Sequence, residues 1–138
     1  MRLFLDANIL FSAAYRKGSP AELLFRLARA GYCELVTSAF ALEEARRNIQ
    51  LKRPERHAAL EKLAVQIALS PLPNATTNAD ASRHGLPAKD VPILAAAITA
   101  GAEALVTGDR SHFGPLYDRR IKGLRVLTLA AALERVVS

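Results

Sequence analysis

The sequence predicts an α/β protein of three layers, in which helices cover both faces of a central parallel sheet of four or five strands. Short apolar runs typical of buried strands alternate with segments of helical periodicity along the chain. Two of these runs, at residues 2–5 and 104–107, end in a polar turn that carries an acid. Because ligands bind beyond the carboxyl ends of parallel strands, we expect the functional residues at that edge of the sheet.

Length, charge and composition predict one soluble domain over residues 1–138, since this length supports one core and is too short for two. The 19 Lys and Arg residues exceed the 13 Asp and Glu residues. The net charge of +6 slightly favours a polyanionic partner, although many small proteins are basic for solubility alone.

No membrane segment or disulfide is predicted. The longest apolar stretch, residues 91–102, is shorter than the roughly 20 residues that a membrane span needs. Asp6 and Asn8 interrupt what would be the apolar core of a signal peptide. Cys33 is the only cysteine, so no intramolecular disulfide can form, and the pattern is that of a cytoplasmic protein.

The first half of the chain predicts an alternation of strands and helices. A strand at residues 2–5 is followed by a helix that Ser19 caps, with Glu22 completing a capping box and Gly31 ending the helix. The elements that follow are a strand near 33–37, a helix from Ser38 to about Leu51, a helix from near Pro54, and a weakly indicated strand at 67–69.

The second half begins with an expected loop at residues 70–78, where Pro, Asn and Thr cluster. The next segment, from about Asp90 to Ala100, is apolar almost all round and predicts a buried helix. Strands near 104–107 and 124–127 and a final helix complete the chain.

The two acids at strand ends are the first candidates for chemistry. Asp6 directly follows three large apolar residues, so its carboxylate has to be hydrogen-bonded, paired or metal-bound. Asp109 follows the strand near 104–107, although a Gly-Asp pair is also common in turns.

Helix geometry adds two more acids. On a helical wheel for residues 39–51, Glu44 lies on the flank of the apolar face, where it can reach the site or is an ordinary surface acid. Glu43 points to solvent, where Arg47 would be its partner. Asp90 begins the buried helix and is its N-cap, a ligand at the sheet edge, or both.

Four carboxylates at one edge would repel each other unless a cation or protons neutralised them. Hard oxygen ligands suit Mg²⁺ or Mn²⁺. Histidines at metal-binding spacing are absent, so the sequence predicts no zinc site. His112 lies close to Asp109 in the sequence and could touch a substrate phosphate, but we expect it to be a packed or solvated turn residue. Supporting or water-positioning roles, with capping or turn roles as the alternative, are expected for Asn8, Ser38, Thr107 and Ser111.

Taken together, these motifs resemble the PIN-domain family, specifically the small VapC-like toxin ribonucleases of toxin–antitoxin pairs. The matching segments are LDANIL at 5–10, SAFALEEARR at 38–47, KDVPILAAA at 89–97 and LVTGD at 105–109. Their order and spacing are more specific than any one of them. The four core acids of the family correspond to Asp6, Glu44, Asp90 and Asp109.

The resemblance implies a Mg²⁺- or Mn²⁺-dependent endoribonuclease with a PIN-like fold. Asp6, Asp90 and Asp109 would hold the metal, and Glu44 would be a ligand or would orient the attacking water. One departure affects a second metal site: many relatives carry a further acid where this chain has RSHF at 110–113. The RNA backbone would be held by Arg46, Arg47, Lys89 and Arg110, which are otherwise ordinary surface charges.

The resemblance also implies an RNA substrate, a small antitoxin protein that covers the acidic edge, and a homodimer. An alternative is a non-catalytic RNA- or partner-binding module on the same fold. A third hypothesis is a phosphotransferase of the haloacid-dehalogenase type, but that chemistry needs an Asp where this chain has Asn8.

Overall fold

A six-stranded sheet forms the centre of the computed structural model, which describes residues 1–138. The strands are β1 Arg2–Leu5, β2 Glu34–Thr37, β3 Ala68–Leu69, β4 Ala104–Val106, β5 Arg120–Ile121 and β6 Leu124–Leu127. Their order is β3-β2-β1-β4-β6-β5, and the first five in this order are parallel. The predicted parallel sheet is confirmed.

The antiparallel strand β5 was not expected. It pairs with β6 across a two-residue turn, in which Lys122 and Gly123 both have positive φ angles, of 54° and 80°. Such a turn matches the twist of a hairpin. A strand of two residues has too few positions to show a period of its own, so no periodicity indicates it in the sequence.

Eight α-helices surround the sheet: α1 Ala7–Tyr15, α2 Pro20–Arg29, α3 Ala39–Lys52, α4 His57–Ala64, α5 Ala75–Ala81, α6 Val91–Thr99, α7 Arg110–Phe113 and α8 Leu129–Val137. None of them is both long and apolar enough to cross a membrane. The helix α1 was not predicted, and the expected loop at 70–78 is wrong from residue 75 onward. There, the side chain of Asn74 accepts a hydrogen bond from Thr77 N at 2.8 Å and starts α5.

The three predicted layers follow from the alternation of side chains along the strands. Leu3 and Leu5 of β1 pack in a core with α1, α2, α3, α4 and α8, whereas Phe4 packs on the opposite face in a core with α5, α6 and α7. Both cores are apolar. Most of the buried polar side chains lie at the carboxyl ends of β1, β2 and β4, namely Asp6, Thr37, Ser38 and Thr107.

The order of the strands creates a crevice between β1 and β4. After β1 the chain extends the sheet on one side through β2 and β3, and it then returns to pair β4 with the other side of β1. Helices that leave the ends of β1 and β4 therefore diverge, and ligands bind at such a switch point in parallel sheets. The backbone N–H of Asp6 donates to Val106 O at 3.0 Å across this point.

Candidate metal centre

Asp6 lies at the carboxyl end of β1 and is 6% exposed. Its side chain accepts hydrogen bonds from Ala7 N at 2.7 Å, as the N-cap of α1, and from Thr107 Oγ1 at 2.8 Å. Burial raises the pKa of the Asp6 carboxyl, and these two hydrogen bonds offset the rise only in part. The charges of Glu44 and Asp90 raise this pKa further, so both acids lie close enough to interact with Asp6.

The hydroxyl of Thr107 connects the ends of β1 and β4. It donates to Asp6 and accepts from Asp109 N at 3.1 Å and from Asn8 Nδ2 at 3.3 Å. Asn8 also donates to Asp6 Oδ2 at 3.3 Å and accepts from Gly108 N at 2.8 Å. Thr107 is fully buried. These contacts fix the relative position of the two strand-end acids.

Asp109 follows β4 and caps α7. Its Oδ1 accepts from His112 N and from Ser111 Oγ, both at 3.0 Å. Burial acts to raise the pKa of Asp109, but these two donors, with the charges of His112 and Lys89, outweigh burial and lower it. The Oδ2 atom takes no part in the capping.

Asp90 starts α6 without capping it, because no hydrogen bond joins its side chain to the helix. The residue is 9% exposed, and its Oδ2 is buried without a hydrogen-bond partner. This oxygen lies 2.8 Å from His112 Nδ1, which also lies 2.8 Å from Asp109 Oδ2. Neither contact has the geometry of a hydrogen bond, since Nδ1 and Asp90 Oδ2 both lack a partner.

Helix α3 presents its two acids as the wheel predicts. The apolar positions are buried, Glu44 is half-buried and Glu43 is exposed. Glu43 pairs with Arg46 at 3.6 Å, so the expected pairing with Arg47 is wrong. Ser38 is the N-cap of α3, accepting from Ala41 N at 3.0 Å.

The basic side chains expected at the site differ in whether they are already hydrogen-bonded within the protein or exposed to solvent. Arg46 is held by Glu61 of α4 through two hydrogen bonds, of 3.0 and 2.8 Å. Arg47, Lys89 and Arg110 are exposed.

A divalent cation fits the donor set at this edge. One ligand atom each from Asp90, Asp109 and His112 lies within 4.8 Å of the other two. A buried carboxylate oxygen without a partner is costly unless a cation or proton compensates it. Two carboxylates and an imidazole are ligands for divalent metals, and Asp6 and Glu44 add negative charge nearby.

Sequence reasoning missed His112 and Tyr117 as members of this site. His112 lies three residues after Asp109, which was a signal, but its contact with Asp90 depends on the packing of α6 against α7. Tyr117 donates from its hydroxyl to Thr107 O at 3.2 Å and so supports the turn after β4.

Fold and site together define an α/β protein with a carboxylate-rich site, of the kind that holds divalent cations, at the switch point of its sheet. The model of the PIN domain matches residues 2–111 of the sequence. The chain therefore belongs to the PIN-domain family. No curated protein matches the sequence.

Solved structures of low sequence identity share the fold. The crystal structure of VapBC2 from Rickettsia felis bound to a DNA fragment from their promoter matches with a TM-score of 0.66 and 18% identity, over 93% of this chain and 98% of that chain. PAE2754 from Pyrobaculum aerophilum matches with a TM-score of 0.64 and 20% identity, over 99% and 98%. FitAcB from Neisseria gonorrhoeae matches with a TM-score of 0.58 and 19% identity, over 93% and 98%.

Proposed function

We propose that the protein is a Mg²⁺- or Mn²⁺-dependent endoribonuclease that hydrolyses phosphodiester bonds in RNA. The observation that carries this proposal is the convergence of four acids at the switch point of a PIN-domain sheet, with one buried carboxylate oxygen, Asp90 Oδ2, left without a partner. An arrangement that only stabilised the fold would pair that oxygen.

In this proposal Asp6, Asp90 and Asp109 hold the cation, and Glu44 is a further ligand or orients the attacking water. A bound divalent cation supplies an activated water and neutralises charge that develops on the phosphate. Thr107 fixes Asp6 and the backbone of Asp109 against each other, so the ligands need little rearrangement.

The exposed residues Lys89 and Arg110 are the best placed to hold the RNA backbone, since each adjoins a proposed metal ligand in the chain. The charge of Lys89 contributes to the lowered pKa of Asp109, which supports this role. Arg47 would contribute from the exposed face of α3, and Arg46 would have to leave Glu61 first. Such contacts add affinity without sequence preference.

The proposed biological role is that of the toxin in a toxin–antitoxin pair, acting as a homodimer in the cytoplasm. The PIN-domain fold and its likeness to chains of VapBC2 and FitAcB support this role. A small antitoxin would cover the acidic edge. Expression in a bacterial host should arrest growth, the Asp6→Asn variant should not, and the product of an adjacent gene should relieve the arrest.

Incubation of purified protein with a cellular RNA pool tests the activity. We expect cleavage with Mg²⁺ or Mn²⁺, none with EDTA and none with the Asp6→Asn variant, while the control variant Glu43→Gln cleaves like the wild type. Cleavage that survives both EDTA and Asp6→Asn would refute a carboxylate-metal mechanism.

One observation favours a second candidate, a non-catalytic RNA- or partner-binding module. The imidazole of His112 lies against two of the acids and, if protonated, would neutralise them without a metal. RNA binding that is equal with EDTA and with Mn²⁺, in the absence of cleavage, would favour this module.

A further inference from the structure

We infer that His112 is a direct nitrogen ligand of the ion held by Asp90 and Asp109, and that it makes the site prefer a first-row transition ion such as Mn²⁺ to Mg²⁺. This inference rests on the proposed function, since it concerns the same ion. The inference specifies which metal the site prefers, and it adds a histidine to the acidic ligands of the proposed function.

The spacing of the three donor atoms is that of ligands to one ion. Two atoms that each lie about 2.1 Å from a metal at a right angle are about 3 Å apart. His112 Nδ1 lies 2.8 Å from both Asp90 Oδ2 and Asp109 Oδ2. One ligand atom of each residue lies within 4.8 Å of the other two, which is the spacing of side chains that share one ion.

Each of the three side chains keeps one atom free on the side that faces the others. Asp109 uses Oδ1 for the N–H of His112 and the hydroxyl of Ser111, which leaves Oδ2. Asp90 Oδ2 and His112 Nδ1 are both buried without a hydrogen-bond partner. Two buried atoms without a hydrogen-bond partner, both close to the free Oδ2 of Asp109, are explained by a cation between the three side chains.

The nitrogen ligand decides which cation is preferred. Mg²⁺ takes oxygen ligands and loses its water reluctantly, whereas imidazole suits first-row transition metals. In this role His112 carries its proton on Nε2, because a ligating Nδ1 has to offer a lone pair.

The competing arrangement has His112 as an imidazolium that replaces the metal between the two carboxylates. The two arrangements predict opposite effects of removing the ring. A ligand that is removed weakens metal binding, whereas an internal cation that is removed strengthens it.

Titration calorimetry of the metal-free, full-length protein with Mn²⁺ and with Mg²⁺ at one pH tests the inference. The His112→Ala variant should bind Mn²⁺ at least about 10-fold more weakly than the wild type. Loss of a group that only supports a metal ligand already weakens binding by about this factor. Mg²⁺ affinity should change less. His112→Asp should narrow the preference for Mn²⁺, since all ligands are then oxygens, and the exposed control His57→Ala should leave both affinities unchanged.

Pulsed electron paramagnetic resonance of the Mn²⁺-loaded wild type gives a readout that needs no variant. We expect modulation from a coordinated nitrogen, and its loss in His112→Ala. Two results would overturn the inference and leave the proposed function unaffected. One is Mn²⁺ bound to the wild type without nitrogen modulation. The other is unchanged or tighter Mn²⁺ binding by a folded His112→Ala variant. A wild type that binds neither ion would overturn the proposed function as well.

Discussion

The two halves of the acidic edge differ in how their polar atoms are satisfied. In the anchored half, Asp6, Asn8 and Thr107 form a closed set of hydrogen bonds across β1 and β4. In the open half, Asp90 and His112 keep buried atoms unpaired, and Asp109 commits only Oδ1. Hydrogen bonds therefore hold one side of the site in place, whereas the other side has polar atoms that a ligand would satisfy.

The two strand-end acids show the same contrast in their pKa values. Both cap a helix, yet burial raises the pKa of Asp6, whereas two hydrogen-bond donors and nearby positive charge lower that of Asp109 in spite of burial. A carboxylate in the position of Asp6 gains most from a nearby cation. In the proposed metal-bound state, the first strand-end acid would depend on the cation for its charge more than the second would.

Apart from the loss of cleavage expected for Asp6→Asn, the largest expected effect comes from the open half. Asp90→Asn should lower RNA cleavage about 1000-fold, because several kcal/mol of transition-state charge stabilisation is lost, and about 4 kcal/mol corresponds to that factor. The fold should be as stable as the wild type, since Asp90 makes no capping bond. Cleavage rate per folded molecule and thermal unfolding measure the two effects, and an unfolded variant would make Asp90 structural.

Glu44→Gln should lower cleavage about 100-fold, a loss of about 2.7 kcal/mol. The matched variant Glu43→Gln removes an exposed acid one residue earlier on α3 and should change the rate by less than about 2-fold. The same cleavage assay compares them. Equal losses in the two variants would mean that Glu44 acts only through the general charge of the helix.

The hydroxyl of Thr107 in the anchored half should matter for stability. Thr107→Val leaves Asp109 N without a partner and leaves Asp6 Oδ2 and Asn8 Nδ2 with only their mutual contact at 3.3 Å, so it should lower the free energy of unfolding by about 2 kcal/mol. Thr107→Ser keeps the hydroxyl and should cost about 1 kcal/mol for the lost methyl group. Urea unfolding of both variants decides whether the hydroxyl or the methyl group matters.

The smallest effect is on the pH dependence of stability. The lowered pKa of Asp109 stabilises the fold above pH 3.8, and this contribution is lost as the pH falls through the folded pKa. The raised pKa of Asp6 has the opposite sign: stability falls as the pH rises from 3.8 through the folded pKa.

Metal-free unfolding curves across this range measure both contributions. Asp109→Asn should remove part of the stability that the wild type loses in acid, by about 1 kcal/mol or less. Asp6→Asn should remove the loss of stability that the wild type shows as the pH rises from 3.8. Shifts of the same sign in the two variants would contradict the contrast between the halves.

Three of the candidate acids could be proposed from the sequence because their signals are local. Asp6 and Asp109 end apolar strands, and the position of Glu44 follows from the periodicity of one helix. The role of Asp6 as the N-cap of α1 is what concealed that helix, since an acid read as a functional group was not also read as a helix start.

The open half could not be predicted as a unit. His112 and Asp90 are brought together by the packing of α7 and α6 on the sheet, which no local pattern encodes. The sequence also suggested that Asp90 could cap its helix, because an Asp at a helix start is a common N-cap. The structure shows no capping hydrogen bond to its side chain. Tertiary contacts between distant segments therefore limit what spacing alone reveals about a site.

The most direct test of the central claim is the anomalous difference map of a crystal soaked in Mn²⁺. The contrast between the two halves predicts a peak in the open half, in contact with Asp90 Oδ2 and Asp109 Oδ2. The absence of a peak at these oxygens at a saturating Mn²⁺ concentration, or a peak held by other acids, would contradict the account.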